Sequence, residues 1–293
     1  MIGTALAAVL LWGSAPVAIR VALSGYDPAP LSLLRFGMAF VLLALYGCSV
    51  GLRRPALADL PALALSGAVG ITLYNVALNY GLKTVPAASA SFLVASTPIW
   101  TSLLAVVFLK ERLSALGWAG IFISFLGIGL IARERGHGLH FSPGAILIGL
   151  NAIAYGAYMI LQKRLLGRLT PLEFTTYSFG IGSLFLVPFG SGTIAAAQAA
   201  PRQATWALIF LGIFPAALAN VAWARALAEV PASRISSFLY LMPLATVVLA
   251  WFWLAEVPTI LVWVGGALAL IGVILVNVWG HLPAAQLVPE TLD

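Results

Sequence analysis

The sequence predicts an all-α membrane protein of ten transmembrane helices, arranged as two five-helix repeats of inverted topology. Composition is the first observation behind this: 62% of the 293 residues are hydrophobic, 8% are charged, and the mean hydropathy is +1.04. A soluble domain carries roughly a quarter charged residues. The second is an internal repeat, because residues 85–131 reappear without a gap at 230–276, shifted by 145. Val85-Pro86-Ala87 becomes Val230-Pro231-Ala232, while Ser91, Pro98, Glu111, Trp118, Gly120 and Gly127 become Ser236, Pro243, Glu256, Trp263, Gly265 and Gly272. The third is the parity of each copy. Each is about five apolar helices long, so the chain enters its second copy from the opposite side of the bilayer, a pairing that places a binding site between the repeats near mid-membrane and suits alternating access.

A spanning helix needs about 20 predominantly apolar residues. The apolar runs fall at 3–23, 31–50, 60–82, 86–109 and 114–132, then at 143–165, 171–190, 204–227, 231–254 and 259–280. The links between them are short, so residues 1–293 form a single transmembrane domain, with 1–135 as the first repeat and 141–281 as the second. The run from Ile2 to Ala18 ends in small residues like a secretory signal but lacks the basic start of one. Continuous rather than alternating apolar runs argue against a β-barrel. The lone Cys48 excludes an intrachain disulfide.

Orientation follows from the basic residues. With the amino terminus inside, the inner links hold Arg53, Arg54, Lys110, Arg112, Lys163, Arg164, Arg168, Arg225 and Arg234; the outer links hold Lys83, Arg133, Arg135 and Arg202. Both termini are therefore expected in the cytoplasm. Lys110-Glu111-Arg112 on an inner link corresponds to Ala255-Glu256-Val257 on an outer one, so the cations are lost where the repeat is inverted. The pI near 9.8 reflects this asymmetry. No basic stripe with interleaved aromatics marks a nucleic-acid partner.

Trp12-Gly13 in the first span, Leu34-Arg35-Phe36 at the start of the second, the Pro-Ala openings of the fourth and ninth, and the Glu111 and Glu256 that close those two resemble the drug/metabolite transporter superfamily. The resemblance covers nearly the whole chain and is to the EamA-type branch of bacterial inner-membrane exporters. Within that branch the sequence is similar to the aromatic amino-acid exporters. It implies a monomeric ten-helix carrier that moves a small molecule across the inner membrane and needs no cofactor.

A helix that lines water or ligand shows polar and aromatic residues every three to four positions. In the sixth span Asn151, Tyr155, Tyr158 and Gln162 form such a stripe, and Lys163 follows it at the inner mouth, either meeting a substrate carboxylate or reaching interfacial water. The third span offers Tyr74, Asn79 and Tyr80, and the eighth offers Trp223. Asn75 and Asn220 are repeat equivalents, which suits a shared structural task such as bonding a freed carbonyl. Tyr74, Asn79 and Trp223 break the repeat symmetry, as a site for an asymmetric molecule must. Trp100 on the fourth span has Ala245 as its equivalent and is a candidate for the same reason, and Tyr240, before Pro243 on the ninth span, is a further candidate. Pro86 and Pro231 begin the fourth and ninth spans, and Pro98 and Pro243 stand in their interiors as hinges. Interhelical bonding, at about 0.6 kcal/mol per contact, is the alternative task for the polar stripes.

Among the cations, Arg20 and Arg35 are expected to snorkel to the outer surface. All nine carboxylates map to links, helix ends or the tail, and His137, His140 and His281 lie outside the apolar runs. No obvious acid stands mid-membrane to exchange a proton, which favours facilitated efflux, although Glu111 or Glu256 could face the cavity from a helix end. Gly117, Gly120, Ser124 and Gly127, with Gly265, Gly266 and Gly272, give small-residue surfaces expected to pack within each half. No phosphate loop, HExxH pair or intramembrane acid–base cluster supports an intramembrane enzyme, and no residue set suggests a metal site. The expectation is an exporter of small neutral amino acids, the aromatic preference resting on the resemblance. Exporters of other metabolites or drugs, and nucleotide-sugar carriers, are the alternatives.

Overall fold

The computed structural model describes residues 2–109, 113–132, 142–223 and 241–280. These residues are all helical apart from links and turns. The helices are α1 (Ile2–Ala22), α2 (Pro28–Val50), α3 (Leu60–Ser66), α4 (Tyr74–Leu82), α5 (Ala87–Val94), α6 (Thr97–Leu109), α7 (Ala115–Ala132), α8 (Pro143–Leu165), α9 (Pro171–Leu186), α10 (Thr193–Ala199), α11 (Arg202–Leu211), α12 (Leu241–Leu254) and α13 (Ile260–Trp279). Among the described residues five stretches are long and apolar enough to cross a membrane, Pro28–Val50, Leu57–Leu82, Ala87–Phe108, Pro143–Gln162 and Arg202–Trp223, and the bent pair Pro171–Phe189 plus Thr193–Ala199 makes a sixth when counted as one span. Leu6–Ala22, Ala115–Ile131, Leu241–Leu254 and Ile260–Val276 are shorter apolar helices.

Helix ends follow local chemistry. Pro28, Pro143 and Pro171 sit where a missing N–H costs nothing, Ser142 and Thr259 accept from the first turn, and Thr170 forms a reciprocal capping box with Glu173. α2 stops at Gly51, whose φ of 82° is open to glycine without strain.

Two helices contain a wider, π-helical turn, Gly67–Leu73 between α3 and α4 and Gly212–Leu218 after α11. They are the same positions of the two repeats, 145 residues apart. A π turn breaks the regular ladder and leaves carbonyls in need of donors. Asn75 Nδ2 donates to Ile71 O at 2.7 Å, and Asn220 Nδ2 donates to Ala216 O at 2.6 Å, again at matched positions.

Contacts between helices cross the midpoint of the chain. α1 packs on α11 and α12, whereas α8 packs on α4 and α6; α2 pairs with α9, and α7 pairs with α13. The last pairing corrects the expectation for the glycine surfaces, which face each other between the halves rather than within them. A Cβ on Gly120 would lie 2.7 Å from Gly272 O, and one on Gly265 would lie 2.7 Å from Gly127 O. Between them, Ser124 Oγ donates to Ala269 O at 2.8 Å. With no side chain to separate them, the two backbones approach closely, as small residues permit in a lipid-facing pair.

The links collect at two ends. At one end lie Asp27 with Lys83 (3.0 Å), Tyr26 with Thr205 (3.1 Å), and Arg20 with Glu256 (2.9 Å). At the other lie Arg53 with Glu173 (2.9 Å), Arg168 with Asp59 (2.9 Å), Arg164 with Phe108 O (3.2 Å), and Ser114 N with Gly280 O (2.8 Å). The exposed Arg53 guanidinium is held even more firmly protonated by its hydrogen bond to the Glu173 carboxylate.

Candidate functional site

The middle of the bundle is aromatic. Tyr74 on α4 meets Tyr155 on α8 with ring centroids 4.9 Å apart, Tyr155 stacks on Tyr158 at 5.7 Å, and Tyr158 meets Phe174 on α9 at 5.3 Å. The four-residue and three-residue steps along α8 put Asn151, Tyr155 and Tyr158 on one face. Asn151 Nδ2 donates to Tyr74 O at 2.8 Å and so ties α8 to α4. Tyr74 and Tyr155 are half-buried. Tyr158, 4% exposed, is wedged against Gly70 in the first π turn, where a Cβ would run into its ring.

A second aromatic pair lies between α1 and the span that carries the second π turn. Trp12 on α1 meets Trp223 at 5.2 Å, and Trp12 Nε1 donates to Pro215 O in the second π turn at 3.0 Å. The glycine that follows each ring explains the Trp12-Gly13 and Tyr155-Gly156 motifs. A Cβ on Gly13 would lie 2.8 Å from Ala245 Cβ of α12, and one on Gly156 would lie 3.0 Å from Thr101 N of α6. Thr246 Oγ1 donates to Gly13 O at 2.6 Å and locks the first of these crossings.

The other sequence-predicted residues are more dispersed. Asn79 is fully buried and donates to Ser32 Oγ at 2.8 Å, which joins α4 to the second turn of α2. Trp100 turns toward Phe125 of α7, ring centroids 5.0 Å apart, and its buried Nε1 has no partner. Gln162 is half-buried near the end of α8. The side chain of Lys163, together with Pro231 and Tyr240, lies outside the described residues.

Pro98 differs from its expected place in a helix interior. The chain breaks between Val94 and Thr97, so Pro98 stands in the first turn of α6, and Thr97 Oγ1 donates to Val94 O at 2.7 Å in place of the N–H that proline lacks. Pro86 caps α5, and Pro243 lies in α12.

Both arginines expected to snorkel do otherwise. Arg20 Nη2 pairs with Glu256 Oε1 at 2.9 Å and its Nη1 donates to Leu82 O at 2.9 Å. Glu256 Oε2 in turn accepts from Ala87 N at 2.8 Å, at the start of α5, where free N–H groups favour a carboxylate. Ala255, just before Glu256, has φ 52°, a left-handed conformation that costs an alanine about 1–2 kcal/mol. Arg35 is only 6% exposed, and its Nε and Nη1 are buried without a hydrogen-bond partner. Seven residues into α2 is about 10 Å along the helix axis, a third of a hydrocarbon core of about 30 Å. Sequence reasoning missed this; the signal was an arginine well inside an apolar run.

Comparison with known proteins assigns the chain. The EamA-like transporter family profile matches twice, over residues 1–133 and 142–278. The chain belongs to this family. As an EamA-like transporter it is a multi-pass membrane protein that moves small molecules. It is 40% identical over 269 residues, 92% of this chain and 90% of the other, to a protein of Streptantibioticus cattleyicolor named a probable terminal-alkyne amino-acid exporter. It is 34% identical to the uncharacterized transporter YdfC of Bacillus subtilis over 90% of this chain and 86% of that one. A crystal structure with 20% identity superimposes with a TM-score of 0.63, covering 93% of this EamA-like transporter and 94% of its own chain, and shows the same fold.

The matched asparagines carry a prediction of their own. Asn75→Leu or Asn220→Leu leaves a carbonyl of a π turn without its donor, which costs about 1–3 kcal/mol. Thermal unfolding in detergent is expected to fall by a similar amount for both, and a loss confined to one of them would sever the equivalence of the two turns.

Proposed function

We propose that this EamA-like transporter exports small neutral amino acids with apolar side chains, aromatic ones among them, across the bacterial inner membrane by alternating access. The observation that carries this reading is the exchange of partners. α1 packs on α11 and α12 while α8 packs on α4 and α6, and Ser124 bonds Ala269, its own equivalent at the 145-residue offset. Partner exchange of this kind is what two five-helix halves, 1–135 and 141–281, generate when a two-fold axis in the membrane plane relates them. Ten spans then place the substrate between the halves, and the bundle opens to each side in turn.

The tyrosines Tyr74 and Tyr155 supply ring surface for an apolar side chain and hydroxyls for a polar head. Trp100, Trp223, Asn79, Asn151, Tyr158, Gln162, Lys163 and Tyr240 complete the site or brace it, with Asn75, Asn220 and the prolines 86, 98, 231 and 243 shaping the helices around it. The name of the Streptantibioticus cattleyicolor relative supports an amino acid with a small apolar side chain. Arg53, Arg54, Arg164 and Arg168 gather at the end opposite Arg20, Lys83 and Arg202, which supports cytoplasmic termini. The carboxylates Asp27, Asp59, Glu173 and Glu256 sit at helix ends in ion pairs, and this favours efflux down a substrate gradient.

Counterflow in proteoliposomes tests the reading. Vesicles preloaded with phenylalanine, tryptophan or a terminal-alkyne amino acid are expected to take up the labelled compound faster than empty ones. Tyr155→Ala should slow uptake about tenfold or more, as the loss of an aromatic contact of about 1.5 kcal/mol or more implies. No counterflow of any of the three by well-folded protein would reject the proposal.

A further inference from the structure

We infer that Arg35 is the anchor for the substrate's carboxylate, an assignment that rests on the transport reading and adds the group that would recognise an acid. Each carboxylate among the described residues is held by another cation: Asp27 by Lys83 at 3.0 Å, and Asp59, Glu173 and Glu256 by Arg168, Arg53 and Arg20, each at 2.9 Å. Arg35 has none of them. It is 6% exposed inside an apolar helix, with Nε and Nη1 unpartnered.

A guanidinium stays charged in such a place. Burying it without a counter-ion is expensive, and intramembrane cations of this kind face a bundle interior where something else completes them. Among the described residues the neighbours of Arg35 are aromatic, and none of the four carboxylates pairs with it. Its guanidinium carbon lies 5.0 Å from the centroid of Phe36, and Arg35 stands within electrostatic reach of Tyr74, whose ring contacts Tyr155 at 4.9 Å. A cation with free donors beside a ring platform fits a molecule that carries a carboxylate at one end and an apolar or aromatic side chain at the other. Arginine suits the carboxylate, because its N–H groups can engage the oxygens directly. The bound anion would also neutralise the buried charge, so the empty carrier and the loaded carrier differ by the pairing of one internal ion.

Counterflow of phenylalanine and of phenethylamine, which keeps the ring and amine but lacks the carboxylate, separates the two levels of the argument. Wild-type protein is expected to move phenylalanine at least tenfold faster than phenethylamine at equal concentration. Arg35→Gln should raise the half-saturation concentration for phenylalanine tenfold or more and abolish the preference over phenethylamine, while Arg35→Lys should retain part of it. A wild-type protein that moves neither compound, nor a terminal-alkyne amino acid, overturns the transport reading. Wild-type transport that is indifferent to the carboxylate, or Arg35→Gln protein with unchanged half-saturation, leaves transport standing and overturns Arg35. Should Arg35→Gln fail to fold, wild-type protein answers the question alone through phenylglyoxal modification of Arg35 followed by peptide mass. Phenylalanine is expected to slow modification at this residue and phenethylamine is not; equal effects of the two overturn the assignment.

Discussion

Gly127→Ala is expected to lower the melting temperature of the purified protein by about 2–12 °C, whereas Gly129→Ala, two residues away in α7, should leave it unchanged or raise it. A Cβ on Gly127 would collide with Gly265 O and lie 2.5 Å from Ala269 N, and both are backbone atoms of α13 that cannot rotate aside. Nothing lies within 4 Å of a Cβ on Gly129. Forcing an extra carbon into a packed contact costs about 1–3 kcal/mol, which sets the temperature range through the usual scaling for chains of this size. At Gly129 the substitution gains up to about 1 kcal/mol of helix propensity. Gly265→Ala should behave like Gly127→Ala, because each glycine faces the other. Equal melting temperatures for the 127 and 129 variants would show that α7 and α13 do not meet face to face.

Glu256→Gln is expected to open the end of the bundle at which α5 begins. Glu256 holds three elements at once, through the Arg20 pair, the Ala87 N–H and, by way of Arg20, the carbonyl of Leu82. Glutamine keeps the volume and removes the charge. Arg20 and Glu256 side chains are 29% and 15% exposed, so the loss of hydrogen bonds to a charged group, reduced by partial solvent screening, comes to about 1–2 kcal/mol, a factor of about 5–30 in a two-state population. The readout is a cysteine at Leu78, buried one turn deeper in α4 than Leu82, in a Cys48→Ser background. A membrane-impermeant maleimide added from the Glu256 side should label it about 5–30-fold faster in Glu256→Gln, and Arg20→Gln should act alike. Unchanged labelling in both variants would remove the clamp from any role in access.

Features that depend on local register were legible before any coordinates. Among the described residues the apolar runs mark the helices to within a few residues, and the 145-residue offset reappears as two π turns braced by Asn75 and Asn220. The stripe on the sixth span brings Asn151, Tyr155 and Tyr158 to one face of α8 because helical spacing alone decides it. What depended on partners was hidden. Glycines on α7 say that something comes close, but not that α13 of the other half does. Tyr158 is as polar in sequence as Tyr155, yet Gly70 lets it sink into packing while Tyr155 stays half-buried. Arg35 read as a snorkelling residue because a string of letters shows its distance from the helix start and not its burial, which leaves it 6% exposed. Glu256 was legible as an acid at a helix end that could face the cavity, but not its pairing with Arg20, which joins residues far apart in the chain.

The exchange of partners also governs how the protein is made. Trp12 waits for Pro215 and Gly13 waits for Thr246, separations of 203 and 233 residues. At synthesis rates of about 5–20 residues per second, the first helix stays in the bilayer for roughly ten to forty seconds before its bonding partners leave the ribosome. During that interval an exposed indole and an uncovered glycine face lipid or the insertion machinery, and a half-made chain is a natural target for quality control.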